Sequence, residues 1–185
     1  SSGRDIITLG ASINNSGAGI SRNASLGNKN LTLHTSTGED HVTITGNLHS
    51  LMSDSDNDGY YVAGIGSQYE NGYALKQSDL DLGSGDDYMS VNSSFSAVSE
   101  TNINLGDGND EIYISHGRPI DYRGTPLLVN NSTINAGYGD DKISINVSSS
   151  IFWGGPSASR SVMPLKDSII YLGDGDNELH LNGAG

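Results

Sequence analysis

Gly83-Ser84-Gly85-Asp86-Asp87, Gly106-Asp107-Gly108-Asn109-Asp110, Gly137-Tyr138-Gly139-Asp140-Asp141 and Gly173-Asp174-Gly175-Asp176-Asn177 are four copies of one pattern: two glycines at fixed spacing, then a pair of acidic or amide residues. These residue types suit the capture of a cation. Glycine reaches the positive φ angles that expose backbone carbonyls, and the carboxylates beside it add charged oxygens. With the residues that follow them, the four copies hold ten of the 22 acidic residues, so the formal charge of -13 is concentrated in the turns. A weaker fifth copy, LHTSTGEDHVTI from Leu33, keeps Gly38, Asp40, Val42 and Ile44 and lacks the first glycine.

The flanks of each turn name the elements that must position it. LDLGSGDDYMSV, INLGDGNDEIYI, INAGYGDDKISI and IYLGDGDNELHL alternate apolar residues on either side of the glycines, the period of a half-buried strand. A single copy also reads as a β-hairpin, because Asp-Gly and Asn-Gly pairs between alternating strands are hairpin signals. A hairpin, however, requires neither two glycines at fixed spacing nor an acid at a fixed place after them. The likeness continues upstream, where LKQSDLDLG, VSETNINLG, VNNSTINAG and LKDSIIYLG share an apolar residue, a polar stretch with Ser or Thr, and a strand into the turn. The repeat is therefore strand, acidic turn, strand and variable return.

The sixth turn residues Asp87, Asp110, Asp141 and Asn177 are 23, 31 and 36 residues apart, and Asp40 precedes Asp87 by 47, about twice the shortest interval. A unit of roughly 23 residues fits one coil of a parallel β-solenoid, with loops in the longer intervals. The expected fold is all-β, a single domain over 1–185 with its turns stacked along one edge and insertions near 50–72, 116–125 and 151–164. A loop in the first of these would replace or interrupt one coil.

With 25 Gly, 34% apolar residues, two Phe and one Trp, the core must be thin layers of Ile, Leu and Val. No Cys is present, which leaves disulfide scaffolds and zinc ribbons without support, and no apolar run is long enough to span a bilayer. Nine Lys plus Arg against 22 acidic residues would repel a phosphate backbone, which argues against nucleic acid and for cations. His34, His41, His49, His116 and His180 show no paired metal-ligand spacing, and neither a nucleophile elbow nor a phosphate-binding loop is present.

The turns resemble the RTX (repeats-in-toxin) nonapeptide G-G-x-G-x-D-x-U-x, with U apolar. Leu82-Gly83-Ser84-Gly85-Asp86-Asp87-Tyr88-Met89-Ser90 matches it except at the first glycine, and the copies at Leu105, Ala136 and Leu172 depart at the same position. The resemblance implies Ca2+ between stacked turns, with Asp87, Asp110 and Asp141 as side-chain ligands and Asp40 from the weaker copy. Gly83, Gly85, Gly106, Gly108, Gly137, Gly139, Gly173 and Gly175 would shape the turns, and Asn177 would be a neutral, weaker ligand. Because the nonapeptides are not tandem, a right-handed parallel β-helix with one calcium row is expected rather than a roll with two.

The resemblance also implies a segment of a secreted bacterial surface, S-layer or biofilm-matrix protein, a structural or adhesive module that folds or stiffens on calcium outside the cell. Its partners would be calcium, neighbouring repeats of the same long chain and a carbohydrate or cell-surface ligand. Carboxylates on coils about 4.8 Å apart would repel by about 3.5 kcal/mol at an effective dielectric of 20. Calcium at ~1 mM on sites with dissociation constants near ~10⁻⁴ M would return about 1.4 kcal/mol each.

Ser53-Asp54-Ser55-Asp56-Asn57-Asp58-Gly59 alternates carboxylates ahead of a glycine, like the first half of an EF-hand loop without its closing Glu. Asp54, Asp56 and Asp58 thus form either a second calcium loop or a solvated polar loop. His116, Arg118, Asp121, Tyr122 and Arg123 are the one tight mixed cluster. They leave open two alternatives to a non-enzymatic module: a carbohydrate-active β-helix enzyme of lyase or epimerase type, or an adhesin tip. The third and fifth turn positions differ too much from copy to copy for an ice-binding lattice.

Overall fold

The computed structural model describes residues 3–4, 6–15, 26–29, 31–35, 37–50, 72–93, 96–116, 127–147 and 163–183. In chain order the strands are β1 (Ile6–Asn15), β2 (Leu26–Lys29), β3 (Thr32–His34), β4 (His41–Ser50), β5 (Gly72–Lys76), β6 (Asp79–Asp81), β7 (Tyr88–Ser93) and β8 (Ser96–Ser99). They continue with β9 (Asn102–Asp107), β10 (Glu111–His116), β11 (Leu127–Asn130), β12 (Thr133–Tyr138), β13 (Lys142–Val147), β14 (Met163–Lys166), β15 (Ile169–Tyr171) and β16 (Glu178–Asn182). The protein is all-β; among the described residues no helix is long and apolar enough to cross a membrane.

The strands form three parallel sheets, ordered β1-β4-β7-β10-β13-β16, β14-β11-β8-β5-β2 and β15-β12-β9-β6-β3. The chain visits the first, second and third sheets in turn and returns to the first one strand further along. The strands that flank an acidic turn therefore do not pair with each other. Around the Gly83 turn, β6 pairs with β3 and β9 while β7 pairs with β4 and β10, all in parallel. This disposes of the hairpin alternative.

Register holds each apolar position in a row. Val42, Met89, Ile112 and Ile143 stand in line on the first sheet, as do Ile44, Val91, Ile114 and Ile145 beside them; all eight have no exposed surface. On the third sheet Leu80, Ile103 and Ile134 form a row, and Val98 pairs with Leu75 and Val129 on the second. These rows meet in one cluster. Ile, Leu and Val, with Met89 and a few alanines, suffice because the inward positions of these rows are covered by the same position one strand along, so no bulky aromatic is needed to fill the interior.

Two of the three connections in each circuit are constant. Between the second and third strands stand Gln77-Ser78, Glu100-Thr101, Asn131-Ser132 and Asp167-Ser168, the first residue of each pair at φ near 50°. The acidic turns join the third strand to the next circuit. Variation in length is confined to the connection between the first and second strands, which runs from Ser93 to Ser96 at its shortest and from Ser50 to Gly72 at its longest. The 47-residue interval is thus a single circuit, because β4 pairs directly with β7; the insertion interrupts a coil and does not replace one. The other insertions have shifted bounds: His116 ends β10, and Met163-Pro164 begin β14.

Candidate metal centre

The turns stack as a continuation of the parallel sheets, with bridges at Thr37–Ser84, Ser84–Asp107 and Tyr138–Asp174. The amides of Gly38, Gly85, Gly108 and Gly139 donate to the carbonyls of Ser84, Asp107, Tyr138 and Asp174 of the following turn, at 2.7, 2.8, 2.8 and 3.0 Å. Asp107 and Asp174 donate back to the Gly83 and Gly137 carbonyls, each at 3.0 Å. Such close stacking dictates the glycines more strictly than backbone angle alone. Gly106 has φ 116° and Gly108 φ 149°, and a Cβ on either would land on the carbonyl oxygen of Gly83 or Gly85 in the turn before. The turn carbonyls expected to face a cation are in part already bonded between turns, although a carbonyl keeps a second lone pair.

The sixth turn residues form a buried column. Oδ1 of Asp87 accepts the Asp40 amide at 2.7 Å, Asp110 that of Asp87 at 2.8 Å, Asp141 that of Asp110 at 2.9 Å, and Asn177 that of Asp141 at 2.8 Å. Oδ2 of Asp87, Asp110 and Asp141 is buried with no hydrogen-bond donor, on residues 1–3% exposed. Asn177 differs. Its Nδ2 donates to the Leu172 carbonyl of its own turn at 2.8 Å.

A second, exposed column runs alongside in the opposite sense. Oδ1 of Asp86 accepts the Asn109 amide at 2.8 Å, Asn109 that of Asp140 at 3.0 Å, and Asp140 that of Asp176 at 2.8 Å. Each junction from Asp86-Asp87 onward is therefore clasped by one side chain reaching forward and one reaching back. The fifth turn position carries this role unannounced by sequence, since Asp, Asn, Asp and Asp share only a short side chain with an acceptor oxygen.

Electrostatics follows from this burial. Desolvation pushes the Asp110 carboxyl up to about 7, against the bond from the Asp87 amide and with added repulsion from Asp87, Asp141 and Asp86. Asp87 is pushed up to about 6 by burial, opposed by the Asp40 amide and reinforced by the charges of Asp40 and Asp86. Burial likewise raises Asp141, with Asp140 adding to the rise. All three carboxyls call for a positive partner.

A divalent cation fits these residues by donor chemistry: buried carboxylate oxygens without donors are the hard oxygens calcium takes. The acids are strung out one per turn and do not converge; among the described residues no three His, Asp or Glu side chains gather around one point. Any ion held here would draw on few carboxylates at a time, its remaining oxygens coming from backbone and water.

Of the residues expected at the site, Asp40, Asp87, Asp110, Asp141 and Asn177 are brought together in one column, and Gly83, Gly85, Gly106, Gly108, Gly137, Gly139, Gly173 and Gly175 line it at positive φ. Asp54, Asp56 and Asp58 lie outside the described residues, as do Arg118, Asp121, Tyr122 and Arg123. A hydroxyl column was missed at the sequence level. Ser78 and Thr101 are linked by an amide-to-hydroxyl bond at 3.3 Å, Thr101 and Ser132 at 3.1 Å, and Ser132 and Ser168 at 3.1 Å. Each hydroxyl also donates to the carbonyl two residues before it, at 2.7–2.8 Å. The signal was the Ser or Thr at a constant distance ahead of each first glycine.

The first turn position, where the RTX pattern has glycine, holds core residues: Leu82, Leu105 and Ala136 are fully buried. Sequence also missed a further partial copy. Gly3 occupies the place of Gly38 one turn earlier, since a Cβ on Gly38 would meet the Gly3 carbonyl, and Ile6 pairs with His41. No protein-family model matches the chain, and neither curated proteins nor solved structures match it.

Proposed function

We propose that the chain is a calcium-binding, right-handed parallel β-solenoid of RTX-like type that serves as a structural and adhesive module of a secreted surface or matrix protein. The observation that carries the proposal is the buried column of donorless carboxylate oxygens at Asp87, Asp110 and Asp141. Left charged and unpartnered, such a column opposes the stacking of the turns that contain it. Calcium supplies positive charge and a taste for oxygen ligands. The chain supplies the rest: glycines that let the turns approach, amides that hold each carboxylate by Oδ1, and apolar rows that fix the spacing.

In this reading low calcium leaves the acidic edge self-repelling and the stack weakened, while calcium outside the cell stiffens it. The apolar rows and the hydroxyl column set the register whether or not the edge is neutralised. The test is far-ultraviolet circular dichroism during calcium titration of chelator-treated protein, with magnesium as control. A gain of β signal or of thermal midpoint with calcium and not magnesium is expected. A spectrum and midpoint that ignore both ions would end the proposal.

A further inference from the structure

We infer that the residue at the sixth turn position decides, turn by turn, whether that turn needs a cation to close: asparagine closes it with its own hydrogen, whereas aspartate leaves it open to an ion. The inference rests on the calcium reading and extends it to which turns depend on the ion. Its starting point is the one turn that departs from the others.

Asn177 and the three aspartates make the same inter-turn bond. Oδ1 accepts the amide of the preceding sixth residue at 2.8 Å in Asn177 and at 2.7–2.9 Å in Asp87, Asp110 and Asp141. Amide and carboxylate are planar and nearly equal in size, so Asn177 serves as the guide to where the second terminal atom of an aspartate with the same Oδ1 bond would sit. In Asn177 that atom is Nδ2, and it donates to the carbonyl of Leu172, the first residue of its turn, at 2.8 Å. In the aspartates it is Oδ2, buried and without a donor. The corresponding first residues are Leu82, Leu105 and Ala136.

An aspartate seated as Asn177 is would set an acceptor where Asn177 sets a donor, against the carbonyl of its turn's first residue. Two facing acceptors need something positive between them. The Leu82 carbonyl receives the Thr35 hydroxyl from the preceding turn. The turns of Asp110 and Asp141 have Leu82 and Leu105 in the place of Thr35, and neither carries a hydroxyl. Dependence on the ion should therefore be strongest at Asp110 and Asp141.

The experiment compares thermal midpoints of the full chain, as wild type, D110N/D141N and N177D, in chelator and in about 1 mM calcium at pH 7.5. D110N/D141N is expected to melt higher than wild type in chelator and to lose at least half of the calcium-induced shift. N177D is expected to melt lower in chelator and to gain a larger shift. A D110N/D141N protein no more stable than wild type in chelator, or folded in neither condition, would overturn the inference, as would an N177D protein with wild-type midpoints. A wild type indifferent to calcium would overturn the calcium reading alone; the inference about turn closure would then stand only if D110N/D141N were still stabilised.

Discussion

At the scale of single residues the proposed calcium site would make pH and calcium interchangeable to a degree that can be measured. Burial raises Asp87 to about 6 and Asp110 to about 7 from an ordinary 3.8, so the folded chain holds these protons more tightly than the unfolded one. Their stabilising contribution is complete below about pH 4 and is lost as pH rises through 6 to 7. In chelator the thermal midpoint should therefore fall between pH 5 and pH 8, and calcium should flatten that fall by replacing the proton with an ion. A midpoint that rises over this interval in chelator would contradict the burial of these groups. The glycines make a separate prediction. Gly106→Ala would drive a Cβ into the Gly83 carbonyl at positive φ, and should cost more than about 2 kcal/mol in denaturant unfolding, with or without calcium. The sixth-position aspartates were legible because their spacing from the glycines is invariant. The donor bond of Asn177 was not, because an Asp-to-Asn change in one copy reads in sequence only as a weaker ligand.

At the scale of elements, the two constant corners are held by different chemistry, and only one of them was read. The acidic corner announces itself by charge and glycine. The hydroxyl corner is carried by Ser78, Thr101, Ser132 and Ser168, residues common enough to pass as solvated loop, and its left-handed residues Gln77, Glu100, Asn131 and Asp167 share no side-chain type. Thr101 accepts the Ser78 amide and donates to the Ser99 carbonyl while 1% exposed. Thr101→Val should thus leave a buried amide unsatisfied and cost about 1–3 kcal/mol, read as a shift of the unfolding midpoint without change in its calcium dependence. The strands themselves followed from alternation of apolar residues. Their lateral order was half-legible: the spacings of 23, 31 and 36 are single circuits as read, but the interval of 47 is also one circuit, because β4 pairs directly with β7 and the extra residues fall at the variable corner. Since β10 and β11 sit in register with β7 and β8, replacing residues 117–126 with a two-residue connection should raise stability by no more than about 1.5 kcal/mol. Loss of the fold would show that this insertion is structural.

At the scale of the whole molecule, each circuit touches chiefly the one before and the one after, so stability should be distributed as in a one-dimensional array. The middle strands of the first sheet have neighbours on both sides and inward residues with no exposure, as at Ile112 and Ile114. On β16, which among the described residues pairs with β13 alone, Leu179 and Leu181 are 39% and 44% exposed. Ile112→Ala should accordingly cost about 2–5 kcal/mol through the cavity it leaves, and Leu179→Ala distinctly less. Hydrogen exchange offers the finer reading. Amides of β7 and β10 should be protected close to the global unfolding free energy, with protection falling through β13 to β16. Calcium should slow exchange most at Asp87, Asp110 and their neighbours, because the amides of these residues are the donors that hold the next carboxylate in place. Uniform protection along the chain, unchanged by calcium, would mean that the circuits unfold as one unit and that the acidic column contributes nothing to their order.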